Sequence, residues 1–80
     1  MQAELLAPGL DAAVRRDVEL LEVRLQGRLG GRVRDLQLVL RDDGLVLRGS
    51  CRTYYVKQVA QHAVMAAAPW RLAANEIQVS

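Results

Sequence analysis

The residues that could do chemistry in this chain are few. His62 is its one histidine, and Ser50 and Ser80 are its two serines. A Ser-His-Asp relay needs nucleophile, base and orienting carboxylate in mutual hydrogen-bond reach, and these residues do not readily supply one. His62 stands at helical spacing from Gln58 and Met65 beside an apolar stripe, the position of a surface or boundary histidine. Cys51 is alone, which rules out an intramolecular disulfide and a thiolate metal cage. Arg48 and Arg52 flank it and would favour a thiolate, but a small packing residue at the end of a strand is the expected role. Asp42-Asp43 lacks the further oxygen ligands of a calcium loop and reads as turn chemistry. The chain is expected to be no enzyme and to carry no cofactor and no metal.

The charged residues say more about contact than about catalysis. Eleven Lys plus Arg stand against nine Asp plus Glu, for a formal charge of +2, and ten of the eleven cations are arginine. Arginine is the better fork for phosphate and carboxylate groups. Arg28, Arg32 and Arg34 follow closely on one another after the first helical segment, where cations complement a helix dipole. Arg41 and Arg48 fall on outward positions of a hairpin, with Val39 and Val46 beside them. Of the three aromatics, Tyr54 and Tyr55 open the second helical segment and Trp70 follows Pro69 at its end. Trp and Tyr favour membrane interfaces because one end is apolar and the other polar. Trp70 and these five arginines are therefore the candidate contacts with a membrane or a protein partner. Nucleic acid is disfavoured, since the strands carry no aromatics on which bases could stack. Gly27-Arg28-Leu29-Gly30 matches the G-x-x-G of KH domains, but here it follows a helix and precedes a strand, as a helix stop would.

The elements that must position these residues follow from periodicity. Residues 1–10 show no clear period and end near Pro8-Gly9, a lead-in to a single domain over 11–80. Asp11 is the expected N-cap of a helix. Val14, Val18, Leu21 and Leu25 recur at i, i+4, i+7 and i+11 on one face of that helix, which should stop between Gln26 and Leu29. Leu36, Leu38 and Leu40 then alternate with Gln37, Val39 and Arg41 as a half-buried strand. Asp42-Asp43-Gly44 makes the turn, since Asp and Gly tolerate positive φ. Leu45 and Leu47 continue on the return strand, with Gly49 on the same face. Thr53 is the expected N-cap of a second helix, in which Val56, Val59, Ala60, Ala63, Val64 and Ala67 form an apolar stripe. Pro69 ends it. A last strand over Asn75–Val79 points Ile77 and Val79 inward. The order αββαβ predicts an α+β fold with two helices on one face of a three-stranded sheet.

Eighty residues with 51% hydrophobic content suit one small domain with a modest core. The amino-terminal segment has neither the positive n-region nor the long apolar stretch of a signal peptide. No run of 18 apolar residues could span a bilayer. On these grounds the expected setting is cytoplasmic, or the cell envelope if a leader has been removed.

The stretch from Gly44 to Val79 resembles a BON domain, the module named for bacterial OsmY and nodulation proteins. The family pattern is a D-G turn, an alternating strand ending in glycine, an alanine-rich helix and a closing V/A-x-N-x-[IVL]-x-V strand. Here these read Asp43-Gly44-Leu45-Val46-Leu47-Arg48-Gly49, then Tyr55 to Ala67, then Ala73-Ala74-Asn75-Glu76-Ile77-Gln78-Val79. With Leu36–Leu40 and Val14–Leu25 as the preceding strand and helix, the resemblance spans roughly residues 12–79. The family usually has Gly-Val after the second helix, where this chain has Pro69-Trp70. The resemblance implies a non-catalytic αββαβ module that contacts phospholipid surfaces or envelope proteins. It also implies structural roles for the motif residues Gly44, Gly49 and Asn75: close helix–sheet approach at Gly49 and a hydrogen bond where the last strand begins at Asn75.

Two functions follow as expectations. The first is a binding module for an anionic phospholipid surface or a protein partner, through Trp70 and Arg28, Arg32, Arg34, Arg41 and Arg48. The second is an assembly domain that pairs a sheet edge or helix face with another protein, including a weak homo-oligomer.

Overall fold

The structure, a computed structural model, describes residues 12–80. The lead-in segment and the expected cap Asp11 lie outside the described residues. Helix α1 runs Ala12–Leu29 and closes through a 3₁₀ turn at Gly30–Arg32. Strands β1 (Arg34–Arg41) and β2 (Gly44–Cys51) form the hairpin, α2 covers Tyr54–Ala67, and β3 covers Leu72–Val79. The sheet order is β1-β2-β3, with β1 antiparallel and β3 parallel to the central β2.

The helical period places the core. Val18, Leu21 and Leu25 of α1 are buried, and Leu29 joins them one turn later because α1 continues through Gly27. These side chains meet Leu36 and Leu38 of β1, Leu45, Leu47 and Cys51 of β2, Ile77 of β3, and Ala60, Ala63 and Val64 of α2 in one cluster. Both helices therefore cover the same face of the sheet, α1 chiefly over β1 and α2 chiefly over β3. Small side chains at Ala60 and Ala63 let α2 lie close to the strands. Removing a fully buried leucine such as Leu45 or Leu47 from water is worth roughly 1.5–3 kcal/mol, so the central strand anchors the layer.

Thr53 caps α2 as its sequence position predicts: its Oγ1 accepts the Val56 N–H at 3.1 Å. The helix ends at Ala67, two residues before Pro69. In the hairpin, Arg41 pairs with Gly44 across Asp42-Asp43. Positive φ falls on Gly44 (130°) and not on either aspartate. A side chain at Gly44 would lie 2.5 Å from the Arg71 carbonyl oxygen, whose partner is the Leu45 N–H at 2.8 Å.

Four details depart from the periodic reading. Ala67, expected in the apolar stripe of α2, is exposed in its last turn. The last strand begins at Leu72, not Asn75, because Leu45 pairs with Leu72 and Val46 with Ala74; pairing to β2 overrides the weak strand preference of alanine. Val79 is 43% exposed instead of inward. The strand advances about 3.3 Å per residue against 1.5 Å for the helix, so β3 runs past the first turn of α2 that covers it. Val46 is 2% exposed despite facing away from the helices, since it sits mid-strand between Val39 and Ala74 in register.

The start of β1 carries a bulge. Arg34 pairs with Ser50 and Gln37 with Arg48, leaving Asp35 and Leu36 opposite Gly49 alone. Asp35 adopts φ 55°, the left-handed conformation that Asp tolerates better than most residues. Gly49 has φ 151°, and a Cβ there would meet the Arg34 carbonyl oxygen at 2.9 Å and Val33 Cγ1 at 3.0 Å. Its close neighbour is thus the bulged strand, which corrects the expectation of helix–sheet approach at Gly49. Replacing Gly49 by Ala should cost about 2 kcal/mol or more in urea unfolding, from backbone strain and the collision with β1. At the other half of the bulge, Asp35→Gly should stay within about 1 kcal/mol of the parent and Asp35→Val should lose about 1–2 kcal/mol. An Asp35→Val variant as stable as the parent would show that the left-handed turn is not required.

Candidate functional site: a cationic end of the sheet

The register of the hairpin decides where the arginines go. Arg34, first in β1, lies beside Ser50, so Arg52 just beyond β2 comes to the same end of the sheet. Arg28 in the last turn of α1 and Arg32 in the 3₁₀ turn precede Arg34 directly. Arg32 is fixed through its Nε, which donates to the Leu29 carbonyl at 3.0 Å. Arg32, Arg34 and Arg52 line one cleft of about 490 Å³ with Gly31, Cys51 and Val56. Residues 28–35 and 51–57 together hold five cations and the single carboxylate of Asp35.

Tyr54 and Tyr55, in the first turn of α2, complete this end with exposures of 64% and 72%. Gln58 Nε2 donates to the Tyr54 hydroxyl at 2.8 Å, which leaves the ring on the surface. The tyrosines thus place exposed aromatic rings at the cationic end of the sheet.

Trp70 lies just before β3, whose first residue pairs with Leu45, at the opposite end of β2 from Ser50. Eight residues of strand separate the two ends by about 23 Å. Trp70 is half-buried against the core and lines a groove with Leu20, Leu21, Ala67 and Pro69 and with the charged Asp17 and Arg24. The other expected contacts are dispersed as well. Arg41 sits at the hairpin turn, while Arg48 lies on the uncovered sheet face with its Nε 3.3 Å from Glu76 Oε1. That ion pair is the one found among the described residues. The structure thus gathers Arg28, Arg32 and Arg34 of the six expected contact residues and adds Arg52, Tyr54 and Tyr55. Arg52 could have been found by counting the hairpin register outward from Asp42-Asp43.

Cys51 is buried, and its thiol donates to the Thr53 carbonyl at 3.2 Å. His62, Asp42 and Asp43 are exposed. Among the described residues, no group of three His, Cys, Asp or Glu could hold a metal ion, and no helix is long and apolar enough to cross a membrane.

Asn75 has a larger role than a hydrogen bond at a strand's beginning. Its Nδ2 donates to the Lys57 carbonyl at 3.1 Å and to Gln61 Oε1 at 3.2 Å, while its Oδ1 accepts the Ile77 N–H at 3.1 Å. One side chain therefore ties α2 to β3. Ser80 N–H bonds the Cys51 carbonyl, so by alternation the Ile77 N–H points to the outer edge of the sheet. The opposite edge is treated similarly by α1: Glu22 Oε2 accepts the Leu38 N–H at 2.9 Å, and Gln26 Nε2 donates to the Leu36 carbonyl at 3.4 Å. Side chains thus occupy backbone groups on both edges at which another strand would pair.

Comparison with family models, with curated proteins and with solved structures finds no match to the chain.

Asn75→Ala should lower stability by about 1–3 kcal/mol in urea unfolding, because it removes partners from half-buried backbone groups. Arg48→Ala should change it by no more than about 0.5 kcal/mol, since both members of its ion pair are about half exposed. The reverse ranking would contradict the roles assigned to the two residues.

Proposed function

We propose that this chain is a non-enzymatic binding module of the BON type that docks on anionic phospholipid surfaces through the end of the sheet where α2 begins. One observation carries the reading. Arg28, Arg32, Arg34 and Arg52 are exposed at that end, none is in an ion pair among the described residues, and Tyr54 and Tyr55 stand exposed beside them. Cations left without carboxylates attract an anionic surface, at about 1 kcal/mol each and less in salt. Tyrosine suits the boundary between headgroups and acyl chains. The αββαβ order agrees with the family that the sequence resembles. Pairing of a free sheet edge, one of the two forms of the assembly alternative, is less favoured because Glu22, Gln26 and Asn75 already occupy edge groups.

Flotation with anionic and neutral vesicles over a salt series tests this. The protein should float with anionic vesicles at low salt and be released as salt rises. Reversing Arg34 and Arg52 to Glu should abolish flotation, and Tyr54→Ser with Tyr55→Ser should weaken it. Trp70→Ala should lower thermal stability and leave flotation unchanged. Absence of binding to anionic vesicles would overturn the proposal, as would binding that depends on Trp70 and not on the arginines. A mass that rises with protein concentration in place of vesicle binding would favour assembly.

A further inference from the structure

From the shape of the cationic end we infer that it holds a discrete site for one phosphate monoester, in the cleft between the 3₁₀ turn, the first residue of β1 and the amino end of α2. This deepens the docking reading and rests on it for the source of the phosphate. A diffuse basic patch needs only charge, whereas this cleft has shape and a graded lining.

Three arginines, Arg32, Arg34 and Arg52, all exposed, are among the residues that line it. Arg32 spends its Nε on the Leu29 carbonyl, which holds the group in place and leaves its two Nη nitrogens for a ligand. An arginine fixed in advance loses less side-chain freedom on binding than a mobile one. Planar guanidinium forks match the spacing of phosphate oxygens. A monoester carries about −1.5 to −2 charge near neutral pH, which suits three cations better than the single charge of a diester does.

The rest of the lining is apolar. Val56 is half-buried, and Cys51 is buried with its thiol turned to the Thr53 carbonyl. Such a wall has no use for a bare anion and offers contact to the carbon side of an ester. At about 490 Å³, the cleft falls within the range of small-ligand sites and admits a glycerol phosphate headgroup.

The test uses the whole chain, glycerol 3-phosphate as soluble probe, and phosphatidylcholine vesicles doped with either phosphatidic acid or phosphatidylglycerol. Amide chemical shifts followed by NMR should move saturably with glycerol 3-phosphate, at Gly31–Arg34 and Cys51–Val56. The double variant R34K/R52K keeps the net charge and removes two forks. It should weaken both glycerol 3-phosphate and phosphatidic acid binding about tenfold, the loss of roughly one charge-assisted hydrogen bond. Its own NMR spectrum reports whether it is folded. Phosphatidic acid vesicles should bind more tightly than phosphatidylglycerol vesicles of equal charge. Vesicle binding without saturable shifts, equal for the two lipids and indifferent to R34K/R52K, would overturn the site and leave the docking reading standing. Saturable shifts without vesicle binding would overturn the docking reading and keep the site, with a soluble phosphate ester as its ligand. Neither shifts nor vesicle binding would overturn both.

Discussion

The parallel pairing of β3 with β2 is the constraint from which the rest of the molecule follows. A parallel neighbour has to start at the same end as the strand it joins, so the chain must travel back the length of the sheet before β3 begins. Helix α2 makes that return and covers half of the sheet on the way. The same requirement fixes its polarity: Thr53, Tyr54 and Tyr55 must open where β2 closes, and Pro69 and Trp70 must lie where β2 starts. Because the hairpin brings the first residue of β1 to the place where β2 closes, the arginines after α1 meet the amino end of α2. The grouping of cations and tyrosines, and the exclusion of Trp70 from it, are consequences of topology more than of local sequence.

A three-stranded sheet with one covered face has two problems, an open face and two open edges. The edges are handled by single polar side chains directed at particular backbone groups. Glu22 and Gln26 are one helical turn apart on α1, so both can reach β1, where they meet an N–H and a carbonyl two residues apart. On the other side Asn75 serves its own strand and the helix above it at once. An amide is the residue that can do this, since it offers donors and an acceptor from one planar group. The open face has a different solution, with Val46 enclosed between strand neighbours and a solvated Arg48–Glu76 pair nearby.

How much of this was legible depends on the range of the interaction. The helical stripes as far as Val64, the leucine alternation, the hairpin and the Thr53 cap are local, and periodicity places them; Ala67, the last residue of the second stripe, is exposed at the end of α2. The beginning of β3 is not local. Leu72-Ala73-Ala74 has little strand character and becomes a strand because β2 offers it a partner. Val46 and Val79 share a similar cause, since burial there depends on how far neighbouring elements extend and not on the alternation within one strand. For the candidate site, sequence proximity finds Arg28, Arg32 and Arg34 as a group. It misses Arg52, Tyr54 and Tyr55, which reach them only through the fold, and it groups with them Trp70, which the fold places at the other end of the sheet.

The bulge at Asp35 has a consequence for the faces of β1. Plain alternation backward from Leu38 and Leu36 would send the side chain of residue 34 into the core and that of residue 33 to solvent. One additional residue opposite Gly49 reverses the parity, and Val33 is buried while Arg34 is exposed. The side of the sheet on which this charge emerges is therefore set by a count of residues, not by their chemistry. Shortening the chain by the one residue at Asp35 would exchange the two faces upstream of it, leaving every arginine in the sequence but turning one of them inward.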